Sequence, residues 1–314
     1  MIIVPRAALA LITLLVACAA DRDPGELFGP AEANTLVVDA RLLVGHSLPD
    51  LFVRRTLSPA VLYDRSTAAV TDATVKLTSG DAVFEYRADP DSAGRYLPPP
   101  GTVEPVTEYR LHVQTRGGTV TAMTTTPARF SIPGAFLLDE ETLEVVRELR
   151  RFAELGAGVY TAPENQVVYK KGVLEAAVDN LAVPAYQVAV LSLDLDSDFV
   201  LEADFLETDD YDEFERYGSS PALEARDGAV RLPWFAITFG GRHLIRIYAR
   251  DDNWFDYLRT GPEEAGGRFV GGLIGDGFER PVFNIEGGIG FFGSAAVDSI
   301  GFFVHPLTKP GESD

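Results

Sequence analysis

The chain has 314 residues, enough for about two domains, and its 46% hydrophobic content excludes a disordered polymer despite a formal net charge of −20. That acidity argues against a nucleic-acid partner, whose phosphates select clusters of Lys and Arg, and against bulk electrostatic docking on anionic lipid. Cys18 is the only cysteine, which excludes an internal disulfide, a thiolate zinc cluster and a thiol redox pair.

The first element is an apolar run over residues 7–17, preceded by Arg6. It is shorter than the roughly 20 apolar residues that a membrane-spanning helix needs, and it has the length of the hydrophobic stretch of a signal peptide. It ends in Leu15-Val16-Ala17-Cys18, which looks like a lipobox: small residues before the cut and a thiol to accept lipid. Residues 1–18 are therefore expected to be a lipoprotein signal peptide with Cys18 as the lipidation site, and the small, acidic residues 19–34 a tether. Ala19 lacks the aspartate that favours inner-membrane retention, so the outer membrane, on its periplasmic or its outer face, is the expected location. No other segment is long and apolar enough to span a bilayer.

From Thr35 the pattern is one of strands. Thr35–Val44, Ala73–Thr78 and Tyr109–Thr115 alternate apolar and polar residues, and turn residues punctuate them: Ser79-Gly80-Asp81, Asp89-Pro90, Pro98-Pro99-Pro100-Gly101 and Gly117-Gly118. The spacing predicts an antiparallel sandwich over 35–133, with a hairpin at Gly117-Gly118. Residues 134–159 read as a connecting helix, because Val145, Leu149 and Phe152 recur at helical spacing between first-turn acids (Asp139-Glu140-Glu141) and later arginines. Strand-like runs resume at Gln166–Tyr169, Ala185–Leu195, Trp234–Phe239, His243–Arg250 and Ile300–Val304, with Gly240-Gly241 as a second hairpin turn. They define a β-rich domain over 160–306, followed by a tail, 307–314. The fold class is thus all-β, with two sandwich-like domains and one connecting helix.

Candidate chemistry is sparse. Residues 194–215 hold eleven carboxylates and no basic residue. Asp194-Leu-Asp196-Ser-Asp198 opens like an EF-hand but has Phe199 and Phe205 where Gly and Glu are required. A solvated acidic loop is one reading; a calcium site built on Asp194, Asp196, Asp198, Asp209, Asp210 and Asp212 is the other. No other cofactor is indicated. Gly288-Ile-Gly290-Phe-Phe-Gly293 satisfies the dinucleotide fingerprint, but a strand-like run follows it and no βαβ alternation surrounds it. The nucleophile motifs of hydrolases are missing, and His46, His112, His243 and His305 are scattered, with His112 and His243 expected to face outward from strands. No enzymatic activity is expected. Trp234, Phe235, Tyr248, Trp254, Phe255 and Tyr257 suit a sandwich core first and stacking on sugar rings second.

The C-terminal stretch Arg280-Pro-Val-Phe-Asn284-Ile-Glu286-Gly-Gly-Ile-Gly290-Phe-Phe-Gly293, with Trp254-Phe-Asp-Tyr-Leu-Arg259 upstream, resembles the ending of a large group of Gram-negative lipoproteins, domain-of-unknown-function family 4249. Val37-Val38-Asp39, Val70–Leu77, Gly94-Arg-Tyr96 and Tyr109–Val113 match its N-terminal half. The resemblance implies an outer-membrane lipoprotein with an Ig-like first domain, and a place beside TonB-dependent receptors; it brings no defined site. Asn284 to Gly293 is readable without it: glycines permit positive φ and close backbone approach, making a structural loop or, second, a ligand loop of Asn284, Glu286, Gly287, Gly288 and Gly290. The expected protein is a lipid-anchored, non-enzymatic accessory of a TonB-dependent uptake system that contacts an envelope protein, a glycan or a small ligand. The alternative is a calcium-dependent carbohydrate-binding lipoprotein.

Overall fold

A computed structural model describes residues 34–306 apart from 59–60, 169–171, 179–181, 201–214, 226, 234–235 and 261–281. Cys18, the tether, the tail, Asp209, Asp210, Asp212, Trp234 and Phe235 lie outside the described residues. Within them no helix is long and apolar enough to cross a membrane.

The first unit is made of β1 (Leu36–Leu43), β2 (Leu51–Arg55), a one-turn helix α1 (Arg65–Ala68), β3 (Thr74–Ser79), β4 (Ala82–Ala88), β5 (Arg95–Leu97), β6 (Glu108–Thr115) and β7 (Gly118–Thr125). Strand alternation sets its core: Leu36, Val38, Ala40 and Leu42 of β1 point inward, as do Val75 and Leu77 of β3 and Leu111 and Val113 of β6. β4 turns a corner of the sandwich, pairing with β3 through Tyr86 and with β5 from Arg87 onward. Tyr96 is buried with both hydroxyl roles filled, accepting from Ala73 N and donating to Val70 O. The Gly117-Gly118 hairpin is where the sequence places it, with β6 and β7 paired from Glu108↔Thr125 to Thr115↔Gly118.

The second unit packs two sheets around one apolar core. One sheet has the order β14-β11-β8-β9: Ala229–Pro233, Gly172–Ala177, Ala135–Asp139, Val145–Leu149. The other holds β13 (Tyr217–Ser219), β12 (Ala185–Ser192), β15 (Gly241–Arg250), β17 (Ile289–His305) and β10 (Gln166–Val168). Leu174, Val230 and Leu232 meet Val188, Ile245, Ile247, Ile300 and Phe302 between them. The all-β expectation holds.

β17 belongs to both units. Its first half pairs in parallel with β1, Val37↔Ile289 to Leu43↔Ala295, and its second half pairs with β15 as far as Gly241↔Val304. Phe292 lies in the first core; Ile300, Phe302 and Val304 lie in the second. β16 (Ile285–Glu286) pairs with β7 at the opposite edge of the first unit. The partners of that unit's two edge strands, β17 beside β1 and β16 beside Thr121-Ala122 of β7, are thus joined by a two-residue turn, Gly287-Gly288. The chain division near residue 133 therefore separates two cores but not two independent folds, because the first is completed by residues 285–295. This closure was invisible in local spacing.

Two expectations are corrected. The connecting helix is a β-hairpin, β8–β9. Asp139 Oδ1 accepts from Glu141 N and Thr142 N, making a turn, and Leu143 sits at φ 57, which no α-helix tolerates. The β-branched pair Val145-Val146 then favours a strand. The acids read as a helix start are turn residues. Nor is Gly240-Gly241 a hairpin turn: Phe239 bridges Phe199, and β15 begins at Gly241 against β17.

Candidate functional site

Two places gather the residues singled out in the sequence. The first is the weld between the units. The Asn284 carboxamide grips the backbone of Phe292 at both ends: Nδ2 donates to Phe292 O at 2.5 Å, and Oδ1 accepts from Phe292 N at 3.0 Å. Glu286 accepts from Thr121 Oγ1 at 3.2 Å. Gly287 (φ +77) and Gly290 (φ +121) have no room for a side chain, since a Cβ would lie 2.3 Å from Thr119 O and 2.0 Å from Val38 O. At Gly288 a Cβ would lie 2.6 Å from Leu36 O. In the described structure Asn284 is turned onto the backbone of its own segment and Glu286 onto β7, which agrees with the structural reading of the sequence.

Beside it, helix α2 (Asp252–Thr260) lays Trp254 and Leu258 against Phe291 and Ala295. Asp251 caps this helix through Trp254 N at 2.9 Å and also accepts from Ser294 N (3.0 Å), Ser294 Oγ (3.1 Å) and Thr124 Oγ1. One carboxylate thus ties β7, β17 and α2 together. Burial raises the Asp251 carboxyl above the ordinary range, against the pull of those hydrogen bonds. Asn253 adds a bond to Met123 O at 2.8 Å. Of the aromatics expected in a core, Trp254 is buried, 5.7 Å from Phe291, and Tyr257 and Tyr248 are partly buried, 4.8 Å from Phe291 and 6.0 Å from Trp254. The fully buried Arg250 guanidinium lies 5.3 Å from the Trp254 ring, a cation–π arrangement. Phe255 is half-buried under Arg259.

The second place is a cavity of about 600 Å³ at the far end of the second unit, lined by Leu193–Asp198, Val200, Gly240–Arg242, Phe303, Val304 and Pro306. Asp194 stands at its wall. Its Oδ2 accepts from Arg242 N and its Oδ1 from Arg242 Nε, each at 2.7 Å. This guanidinium holds the Asp194 carboxyl below the usual carboxylate range. Gly241 (φ +86) admits the contact, because a Cβ there would lie 2.6 Å from Asp194 Oδ2. Arg216, the first cation after the acidic run, donates to Asp194 O (2.6 Å), Ser197 Oγ (2.8 Å) and Ser197 O (3.0 Å), and stacks 4.1 Å from the Phe239 ring centre. Asp196 and Asp198 are exposed at the rim. Among the described residues, no three His, Cys, Asp or Glu side chains converge to hold a metal ion. Of the turn's carboxylates, Asp194 is met by Arg242.

His243 departs from its expectation. It does not face solvent but is 1% exposed, stacked on Phe302 at 5.7 Å, with Nδ1–H donating to Gly241 O at 3.0 Å. Burial pushes its pKa down to about 4. His305 meets Gln166 Oε1 at 2.7 Å, His112 is half-buried on β6, and His46 is exposed.

Sequence reading missed Asp251, Arg216 and Arg242. Asp251 had a signal, an acidic N-cap before apolar residues at i, i+4 (Trp254, Leu258). Arg242 had none, since only the β12–β15 register brings it to Asp194. A family model described as Domain of unknown function (DUF4249) matches residues 25–300. No curated protein matches the chain.

Proposed function

The chain belongs to DUF4249, and on that footing we propose that it is a lipid-anchored protein of the outer membrane, held through Cys18, that serves a TonB-dependent uptake system as a non-enzymatic binding accessory. The observation that carries the reading is the fate of the most specific motif: Asn284, Gly287, Gly288 and Gly290 are spent on welding two β units into one scaffold. Such a scaffold presents surfaces and loops, and the motif serves rigidity instead of chemistry. The lipobox before Cys18 supports the anchoring half. The test is fractionation and gentle solubilisation of native membranes. Wild-type protein should sediment with the outer membrane and co-purify with a TonB-dependent receptor, while Cys18→Ser should become soluble and stay folded. A Cys18→Ser protein that stays in the membrane overturns the anchor; a wild-type protein recovered without any receptor overturns the uptake role.

The cavity beside Asp194 favours one second reading, binding of a small glycan with calcium at the rim carboxylates Asp196 and Asp198. A glycan array run with calcium and with chelator decides it. Chelator-sensitive binding that is lost in Asp196→Asn/Asp198→Asn supports this reading, and signals independent of both remove it.

A further inference from the structure

We propose that the tip Val61-Leu62-Tyr63, between β2 and α1, is a membrane-contact loop that inserts into the leaflet carrying the lipid anchor; the proposal rests on the lipid-anchor reading above. Single exposed apolar residues on a surface need no explanation, but here three in succession face solvent. Leu62 is 93% exposed, the highest of the large hydrophobic residues described, with Tyr63 at 58% and Val61 at 52%. The local structure holds them out. Val61 N donates to Ser58 O at 2.9 Å, and Asp64 caps α1 by accepting from Thr67 N at 2.8 Å and Thr67 Oγ1 at 2.9 Å. The tip is therefore pinned on both flanks. An aliphatic pair followed by tyrosine is the composition that partitions into a bilayer interface, with the ring at headgroup level.

Position identifies the occupant. The described chain begins at Asn34, whose N–H donates to Thr56 O at 2.9 Å, and Thr56 N donates to Thr35 O at 2.9 Å. The segment leading back to Cys18 thus leaves the fold at the end of β2 from which the apolar tip projects. Fifteen residues, 19–33, lie between Cys18 and Asn34, so a leaflet holding the lipid lies within about 55 Å of this end. Tethering raises the local concentration of bilayer seen by the tip, so even a weak apolar contact is populated. The charge around the tip is balanced: Asp64, engaged in capping α1, and Arg65 follow it, and at the β6–β7 turn beside Arg55 the exposed Arg116 pairs with Asp72 at 3.7 Å. A lipid anchor plus an inserted loop would fix the tilt of the protein, which a tether alone leaves free.

The experiment uses the full, lipidated chain reconstituted in phosphatidylethanolamine–phosphatidylglycerol vesicles whose acyl chains carry bromine. Leu62→Trp and, separately, Tyr63→Trp place a reporter at the tip, read against the parent's own tryptophans. The added emission should be blue-shifted and quenched at least about twofold by bromolipid, and not quenched in vesicles without bromine. Added emission that bromolipid leaves unchanged in both variants, whether open to aqueous iodide or shielded from it by a protein contact, overturns the inference. Flotation of the same vesicles tells the two readings apart: failure to float sinks the anchor and with it this inference, whereas floating protein with unquenched tips sinks the loop alone.

Discussion

The two β units solve the same packing problem with different materials. Among the described residues, the first buries its polar side chains sparingly, with Thr124 and Thr126 at its seam, and otherwise fills its core with Val, Leu and Tyr. The second buries Asn165, Gln187, Thr238, His243 and Arg250. Each must be matched, because an unmatched buried polar group costs about 1–3 kcal/mol. Asn165 shows how: its amide donates to Gly301 O at 2.7 Å and Arg150 O at 3.1 Å and accepts from Arg150 N at 2.8 Å. Apart from its pairing with β17, the first unit is stitched largely by neighbouring strands, as at β3–β4 and β6–β7, whereas in the second β11–β14 and β12–β15 join strands far apart in the chain. Local alternation thus goes with an apolar core, and long-range assembly with a core that carries hydrogen-bonded cross-links. The comparison places pH sensitivity in the second unit and dependence on a borrowed strand in the first.

The largest effect is expected where the borrowing is tightest. Gly290→Val puts a side chain into Val38 O at positive φ and should separate β1 from β17, costing more than about 4 kcal/mol, the level reserved for severe disruptions. Thermal unfolding and limited proteolysis check it; a midpoint within a few degrees of wild type would refute the weld. Next comes Phe292→Ala, which removes a fully buried ring that β17 lends to the first core, at a cost of about 3–5 kcal/mol. Denaturant melts followed separately in each unit should shift together. A shift confined to the first unit would show that the two fold independently.

The smallest effect sharpens the other side. Because burial depresses the His243 pKa to about 4, below its unfolded value of 6.5, the unfolded chain binds the proton more readily. Stability should be complete above about pH 6.5 and fall as pH drops toward 4, by on the order of 3 kcal/mol. Urea melts across that range should show the slope in wild type and a flatter one in His243→Phe, which keeps the stack on Phe302. An unchanged slope would assign acid sensitivity elsewhere.

Strands were legible wherever period-two alternation met a solvent face, as in β1, β3 and β6. The glycine cluster at 287–293 reads in the sequence as a structural loop or a ligand loop, and the close backbone contacts and positive φ of Gly287 and Gly290 favour the first. In the hairpin at 135–149 the helical spacing of Val145, Leu149 and Phe152 marks no shared face: Val145 is exposed, Leu149 is buried and Phe152 lies beyond β9. The deciding residues were Asp139, whose side chain folds back on the turn, and Leu143 in the left-handed region. The site residues Arg242 and Asp194 lie 48 positions apart, and no spacing rule links them. His243 looked like an outward residue because its neighbours Leu244 and Ile245 are both buried, so alternation could not say which face it takes.

The two-residue turn at Gly287-Gly288 also sets an order of events. Until residues 285–295 are present, β1 and β7 are bare edges and Phe292 is missing from the first core. β1 therefore waits for β17, across some 250 intervening positions, and contacts of such sequence separation form slowly. A nascent chain ending before this strand stays open however well its hairpins form. Completion of the first core is set by the arrival of residues 285–295.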